Sequence, residues 1–300
     1  MSPTANFSEQ GPRANYEYYQ LNDGNKIPAI GLGTYKVTDA DEARASVKTA
    51  LQNGYRHIDT ASRYKNEEQV GEGIRESGVP REEVFVTTKL WNADHHDPEG
   101  ALNESLKKLG LDYVDLYLIH YPVNLEEKIL AQPHHYDFIE TYKNMQKLVH
   151  NGKAKSIGVS NFTKERVEQL LADEEVTIKP VVNQIEAHPL LTQPDLKEYL
   201  DSENILVEAF SPLGSATSPL FENPVVKSIA QNNNASAGQV LVSWALQRNT
   251  VVLPKSVKEE RIISNMKTFT LGEADFEALN NLSVKFGEQR TCNFPWGVFN

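Results

Sequence analysis

The chain has 300 residues, 39% of them hydrophobic and 24% charged, with a formal net charge of −11. This composition suits a globular protein with a real core, built as two domains or as one barrel of about 250 residues. The acidic balance argues against nucleic acid and anionic membranes as partners, and no apolar run approaches the roughly 18 residues of a membrane span. The single cysteine, Cys292, excludes an internal disulfide and favours a reducing compartment, so we expect a cytoplasmic protein.

The amino-terminal part of the chain predicts a tail followed by a hairpin. Residues 1–15 are polar and lack a basic-then-apolar leader, so we expect a disordered tail ahead of a single domain over residues 16–300. An Asp-Gly pair between two apolar stretches predicts a β-hairpin over residues 18–28. A Gly-x-Gly follows in a short strand over residues 30–34. Because Lys36 stands where the third glycine of a dinucleotide-binding loop belongs, we reject the Rossmann fold.

Strand-then-helix units repeat along the rest of the chain. Short apolar runs predict strands over residues 30–34, 54–59, 84–89, 113–120, 154–159, 181–186, 205–210 and 250–253. Helical patterns follow over residues 39–53, 67–76, 98–109, 137–151, 163–173, 194–202, 224–247 (two short helices), 258–267 and 273–284. The strands are apolar throughout, as in parallel sheets buried on both faces, and eight such units close a barrel. The predicted fold is an α/β (β/α)8 TIM barrel with an amino-terminal hairpin.

Three successive predicted strands end on side chains suited to acid–base chemistry. They end on Asp59, Lys89 and His120, and the loop after the first carries Tyr64. Because the carboxyl ends of parallel strands meet at one rim of a barrel, we expect these four side chains to lie together. A buried carboxylate needs a partner charge, which Lys89 supplies. A single polar strand end can simply reflect contact with solvent, but the whole set favours a functional site.

The motifs around these residues resemble those of the aldo-keto reductases, in particular the fungal members described as aldose reductases and NADP-dependent glycerol dehydrogenases. The resemblance covers nearly the whole chain. The motifs are Gly54-Tyr55-Arg56-His57-Ile58-Asp59-Thr60-Ala61, Thr88-Lys89-Leu90-Trp91, residues 111–120, Ile157-Gly158-Val159-Ser160-Asn161-Phe162, residues 183–189, Ser211-Pro212-Leu213-Gly214-Ser215 and Leu253-Pro254-Lys255-Ser256.

The resemblance implies NADPH-dependent reduction of aldehydes and ketones, acting on small or polar carbonyls such as glyceraldehyde, aldoses or keto esters. Hydride arriving at a carbonyl carbon leaves an alkoxide that needs a proton, and Tyr64 is expected to donate it. A phenol with a pKa near 10 is a reluctant donor, so a nearby cation, Lys89, assists it. Asp59 would keep Lys89 charged and oriented, and His120 would donate a hydrogen bond to the carbonyl oxygen.

The resemblance also implies a binding site for NADP(H). The residues carried over are Ser160, Asn161 and Gln184 for the nicotinamide carboxamide, Ser211, Leu213 and Ser215 for the pyrophosphate, Lys255, Ser256 and Arg261 for the 2′-phosphate, and Asn265 near the adenine. Phe210 stands where the family usually has a tyrosine that stacks on the nicotinamide, and a phenyl ring can still stack.

The adenosine end of this site decides the choice of cofactor. Cations around a helix start form a phosphate site, and no acidic residue is placed to bind a free 2′-hydroxyl, so NADP(H) is preferred over NAD(H). Ser256 with Glu259 also fits a capping box, so a well-capped surface helix is the alternative interpretation.

The walls of the substrate pocket are assigned by matching positions and include a carboxyl-terminal loop. They are Tyr35, Trp91, Tyr121, Cys292 and Trp296. The family more often has tryptophan at the first and third of these, so this pocket is expected to be more polar and to favour hydroxylated or short aldehydes. Cys292 is interpreted either as a passive wall residue or as an oxidisable thiol.

Other chemistries have little support in the sequence. The adjacent histidine pairs at 95–96 and 134–135 do not converge on one ion, so we expect no metal. There is no Gly-x-Ser-x-Gly elbow, Walker loop or Tyr-x-x-x-Lys motif. A different class stays open, namely an NADPH-binding redox sensor or channel-associated subunit with negligible turnover. We expect a monomer.

Overall fold

A computed structural model describes residues 11–123, 137–214 and 219–292. Within them the strands are β1 Arg13–Ala14, β2 Tyr18–Gln20, β3 Lys26–Pro28, β4 Leu32–Gly33, β5 His57–Asp59, β6 Phe85–Leu90, β7 Val114–Ile119, β8 Ala154–Ser160, β9 Val182–Glu186, β10 Leu206–Phe210, β11 Val251–Val252 and β12 Lys267–Thr268. The helices are α1 Ala40–Gln52, α2 Glu67–Ser77, α3 Pro98–Leu109, α4 Phe138–His150, α5 Lys164–Ala172, α6 Pro194–Ser202, α7 Pro224–Asn232, α8 Ala237–Gln247, α9 Glu259–Asn265, α10 Glu273–Asn280 and α11 Leu282–Phe286.

The strands β4 to β11 form one parallel sheet in which neighbours in sequence are neighbours in space. A parallel bridge between Ile30 and Val252 joins its two edges. Gly31 N donates to Val252 O at 2.9 Å, and Val252 N donates to Ala29 O at 2.9 Å. The sheet is therefore closed, which confirms the predicted (β/α)8 barrel.

Local signals define the helices between these strands. Asp39 caps α1 by accepting a hydrogen bond from Glu42 N at 2.9 Å, and Asp97 caps α3 by accepting from Gly100 N at 2.9 Å. Gly78 and Gly110 end α2 and α3 with φ of 74° and 65°, the left-handed conformation that glycine adopts without strain. The predicted bounds of these helices therefore agree with the structure to within a few residues.

The barrel interior differs between its two ends. At the amino end an apolar layer packs beneath the hairpin β2–β3, and its members are Leu21, Ile27, Phe85, Leu116, Leu118, Val181, Val182 and Val251. Towards the carboxyl end, buried polar side chains replace this layer, among them Asp59, Lys89, Gln184, Glu186 and Glu208. Burying charged and polar side chains costs free energy unless they form ion pairs or hydrogen bonds with one another. The place where these side chains pair is therefore the candidate functional site.

Three details of the prediction need correction. Strand β1 pairs with β12, so ordered chain begins before residue 16, where we placed the domain boundary. The helix predicted over residues 273–284 is two helices, because the chain leaves the helical conformation at Asn281. The capping box on Ser256 is wrong, since Ser256 Oγ accepts from Lys258 N at 3.1 Å and α9 starts at Glu259 without a side-chain cap.

Candidate active site

The carboxyl rim of the barrel brings together the four residues predicted to act in acid–base chemistry. Asp59 is the last residue of β5, Lys89 is the fifth residue of β6, and His120 directly follows β7. Tyr64 ends a single 3₁₀ turn, Ser62–Tyr64, that follows β5. Neighbouring parallel strands in register thus place their final side chains at one point, as expected for this fold.

Lys89 is the centre of the cluster and is fully buried. Its Nζ contacts both carboxylate oxygens of Asp59 at 2.8 Å and donates to the carbonyl oxygen of Thr60 at 2.8 Å. It also donates to the hydroxyl of Tyr64 at 3.2 Å. The Asp59 carboxylate and the Thr60 carbonyl hold the Lys89 ammonium in one position. In that position it also contacts the phenol of Tyr64.

Aromatic rings pack around Tyr64 and His120. The rings of Tyr35 and Tyr64 have centroids 5.1 Å apart, and His120 meets Tyr64 edge-on at 5.7 Å. Trp91 packs edge-on against His120 at 5.4 Å, while Tyr121 stacks on His120 at 4.9 Å with an interplanar angle of 15°. The three described aromatic residues predicted to line the pocket therefore do lie around the acid–base cluster.

Burial sets the protonation states of the cluster. Burial and then the charge of Asp59 raise the pKa of Tyr64 well above its ordinary value, so the phenol is protonated at neutral pH. Burial, with Lys89 and Arg63, lowers the pKa of His120 well below its ordinary value, so this imidazole is neutral. Burial raises the pKa of Asp59, and the charge and hydrogen bonds of Lys89 oppose that rise.

The residues expected to hold a nicotinamide carboxamide lie directly beside His120. Asn161, with a left-handed φ of 62°, donates through Nδ2 to His120 O at 3.0 Å and to Ser160 Oγ at 3.1 Å. Ser160 Oγ donates to Gln184 O at 2.8 Å. The Oδ1 atom of Asn161 is buried and has no hydrogen-bond partner within the described part of the chain. A buried acceptor of this kind is what an amide N–H₂ group requires, so these residues fit a nicotinamide.

Gln184 contributes to this site in a way that the sequence did not suggest. Its Nε2 donates to Asp59 Oδ2 at 2.8 Å and to Glu208 Oε2 at 2.9 Å. Both hydrogens of the Gln184 side-chain amide are thus used inside the barrel. The side-chain oxygen Oε1 is the atom left to contact a ligand. Glu208 is fully buried, and burial followed by the charge of Asp59 raises its pKa to about 8.

The remaining predicted cofactor residues follow β10 and β11. Phe210, Ser211 and Leu213 are half-buried at the end of β10 and in the loop after it. Beyond β11, Lys255 and Arg261 are exposed while Ser256 and Asn265 are buried. Among the residues that the structure describes, neither of these two cations forms an ion pair, which leaves both available to a phosphate. Ser215 and Trp296 lie outside the described residues.

Two residues near the cluster were missed by the sequence analysis. Glu208 could have been noticed as an acidic residue in the middle of an apolar strand, where a charge needs a reason. Arg63 precedes Tyr64, and its guanidinium lies over the ring of Trp91 at 4.9 Å. Nothing in the local pattern marks Arg63, because one exposed arginine in a loop is ordinary.

A parallel (β/α)8 barrel with a buried Lys–Asp pair beside a tyrosine and a histidine defines a class of oxidoreductase. The model of the aldo/keto reductase family matches residues 29–284. The chain belongs to the aldo/keto reductase family, as its motifs predicted.

Particular relatives are similar over nearly the full length. The chain is 50% identical over 296 residues to glycerol 2-dehydrogenase (NADP(+)) of Saccharomyces cerevisiae, covering 93% of this chain and 95% of that protein. It is 46% identical over 297 residues to an aldehyde reductase of the same yeast, with 93% and 95% covered. The crystal structure of an aldo-keto reductase of Bombyx mori in complex with NADP superposes with a TM-score of 0.86 at 39% identity, covering 94% and 96% of the two chains.

Proposed function

We propose that this protein reduces small or polar aldehydes and ketones to alcohols with NADPH, using Tyr64 as the proton donor. The observation that carries the proposal is the contact of Lys89 Nζ with the Tyr64 hydroxyl at 3.2 Å, held by Asp59. The names of the yeast relatives, a glycerol dehydrogenase and an aldehyde reductase, support this reaction and its reversibility.

NADP(H) fits the residues around the rim, and the similar silkworm enzyme binds NADP. Ser160, Asn161 and the side-chain oxygen of Gln184 would hold the carboxamide, with the ring of Phe210 beside it. Ser211, Leu213 and Ser215 would contact the pyrophosphate, and the 2′-phosphate and adenine would be bound by Lys255, Ser256, Arg261 and Asn265. When bound, the reduced cofactor supplies the hydride.

The protein supplies the proton and the orientation. Tyr64 is protonated because burial raises the pKa of its phenol, so it can donate to the developing alkoxide. Lys89 lies where it stabilises the phenolate that this transfer leaves, and Asp59 balances the charge of Lys89 in a buried setting. The three groups therefore act as one unit.

His120 orients the substrate. Its ring is buried and neutral, and its Nδ1 has no hydrogen-bond partner among the described residues. A neutral imidazole with one N–H can donate to the carbonyl oxygen without competing with Tyr64 for the role of acid. Asn161 holds the backbone of His120 in place through its hydrogen bond to the carbonyl oxygen.

Tyr35, Trp91 and Tyr121, with Cys292 and Trp296, would form the walls of the pocket. The phenol groups of two of them favour hydroxylated substrates. None of the relatives named above is described as a sensor or a channel subunit. No helix within the described ranges is long and apolar enough to cross a membrane. We place the protein in the cytoplasm, which its single cysteine supports. We propose a monomer by analogy with this branch of the family.

Steady-state NADPH oxidation against DL-glyceraldehyde, a set of aldoses and α-keto esters tests the proposal, with NADH in parallel. We expect turnover that prefers NADPH and is highest with short or hydroxylated carbonyls. Tight NADPH binding with negligible turnover across the whole panel would contradict the reductase function and favour a sensor.

A further inference from the structure

A second buried carboxylate at the carboxyl rim belongs to Glu186, the last residue of β9, which is fully buried. Its Oε1 accepts from His188 Nε2 at 2.9 Å and from both the backbone N and the Oγ1 of Thr291 at 2.7 Å. Its Oε2 accepts from Cys292 N at 3.0 Å. Four donors thus converge on one carboxylate that the acid–base cluster does not use.

These hydrogen bonds attach the carboxyl-terminal segment, residues 287–292, to the barrel. Glu186 and Thr291 are 105 residues apart in sequence. A backbone hydrogen bond also attaches this segment, because Gln289 N donates to Leu190 O at 2.9 Å. The Glu186 carboxylate reaches from a barrel strand to this segment and accepts three hydrogen bonds from it, so it helps to set where the segment lies.

The segment brings Cys292 to the site. Its Sγ lies 3.9 Å from Ser211 Oγ, in the loop assigned to the cofactor. The sulfur therefore lies beside the loop that follows β10, and a shift of the segment would change the shape of the site there.

A carboxylate is the group that this arrangement requires. Burial by itself raises the pKa of Glu186, and the hydrogen bonds from His188, Thr291 and Cys292 lower it below its usual range. An ionised carboxylate offers two acceptor oxygens, whereas an amide offers one and turns two hydrogens towards the donors. Glutamine at position 186 would therefore have the same shape and lose one set of contacts.

We infer that Glu186 is a positioning residue for substrate recognition, which holds the carboxyl-terminal segment and Cys292 at the carboxyl rim of the barrel, beside Ser211. Its effect on substrate rests on the proposed function, but the attachment itself can be measured without turnover. Because Cys292 is the single cysteine of the chain, its alkylation reports directly on the position of the segment.

The experiment compares Glu186→Gln with a matched variant, Asp115→Asn. Asp115 is also a buried carboxylate, on β7, and it accepts from Val86 N at 3.0 Å and from Arg81 at 2.8 Å away from the pocket. The rate of alkylation of Cys292 by N-ethylmaleimide is measured as a function of pH. The plateau rate at high pH reports accessibility, and the midpoint reports the thiol pKa, so the two effects are separated.

We expect the plateau rate to rise about tenfold in Glu186→Gln, as loss of charge-assisted hydrogen bonds favours local opening of the segment. We also expect the KM for carbonyl substrates to rise by about tenfold, with kcat and the Kd of NADPH changed less than about twofold. Asp115→Asn should lower the unfolding temperature while leaving the plateau rate and KM unchanged. Thr291→Val, which removes one donor, should show the same pattern as Glu186→Gln with smaller effects.

An unchanged plateau rate and KM in Glu186→Gln, together with a loss of stability like that of Asp115→Asn, would overturn the inference and leave Glu186 a purely structural residue. If Glu186→Gln does not fold, Thr291→Val decides by the same two measurements. If the wild-type protein shows no turnover, the proposed function fails while the alkylation rates still test the attachment.

Discussion

Replacing Lys89 by methionine tests the charge balance at the centre of the site. The substitution keeps a linear apolar side chain and removes an ammonium that contacts Asp59, Thr60 and Tyr64 at 2.8–3.2 Å. Asp59 is then a buried carboxylate whose remaining side-chain donor is Gln184 Nε2 at 2.8 Å. Removing one partner of a buried ion pair costs about 3–5 kcal/mol in the free energy of unfolding.

The rate should fall as well as the stability. The phenolate of Tyr64 loses the cation that stabilises it during proton transfer, and a positioned acid–base group contributes about 10²–10⁴ in rate. The double variant Asp59→Asn with Lys89→Met removes both charges. It should recover about 2 kcal/mol or more of the lost stability because no unpaired charge remains, and it should not recover activity.

Urea unfolding and steady-state kinetics measure both effects. Lys153→Met serves as a surface control, because Lys153 pairs with Glu99 at 2.6 Å where solvent weakens the interaction, and should change the free energy of unfolding by less than about 1 kcal/mol. Equal stability of Lys89→Met and the wild type, or a double variant less stable than Lys89→Met, would refute the account of a charged buried pair.

Three further predictions concern pH and cofactor choice. Because burial raises the pKa of Tyr64, kcat/KM for reduction should be flat from about pH 6 to pH 9, and an alkaline loss of rate centred near neutrality would contradict this protonation state. In the folded protein the pKa of Glu208 is raised to about 8, so protonated Glu208 stabilises the fold. This stabilisation is complete at pH values below the pKa of Glu208 in the unfolded chain, and it is lost as the pH rises towards the pKa in the folded protein. Glu208→Gln should therefore stabilise the protein, relative to wild type, by roughly 3 kcal/mol more at pH 8 than at pH 5 in urea unfolding, and an equal effect at both pH values would show that Glu208 is ionised throughout. Arg261→Ala should raise the KM for NADPH by about tenfold to a hundredfold and leave that for NADH unchanged, as loss of a charge-assisted contact to the 2′-phosphate requires, whereas an equal rise for both cofactors would place Arg261 elsewhere.

The barrel could be predicted because its signals are local. Each strand is a short apolar run, and each of the helices α1 to α3 has its own cap or terminating glycine. Asp59, Lys89 and His120 were identified for the same reason, since parallel strands bring their carboxyl ends together whatever the details of packing. The fold and the acid–base cluster could therefore both be predicted from the same sequence patterns.

The parts that could not be predicted depend on contacts between distant parts of the chain. Pairing of β1 with β12 joins Arg13 to Thr268, and no local signal announces it. The amide of Gln184 is directed by Asp59 and Glu208, which come from two other strands. In the sequence Glu186 is one more polar residue at a strand end, and its donors on the carboxyl-terminal segment appear once the chain is folded.

The most direct test of the central claim is the Tyr64→Phe variant, measured for NADPH binding by fluorescence and for NADPH oxidation with DL-glyceraldehyde. The substitution removes the hydroxyl that Lys89 contacts and keeps the ring that packs between Tyr35 and His120. We predict NADPH affinity like that of the wild type and a loss of kcat of at least about 10². Reductase activity equal to that of the wild type would contradict the assignment of Tyr64 as the proton donor.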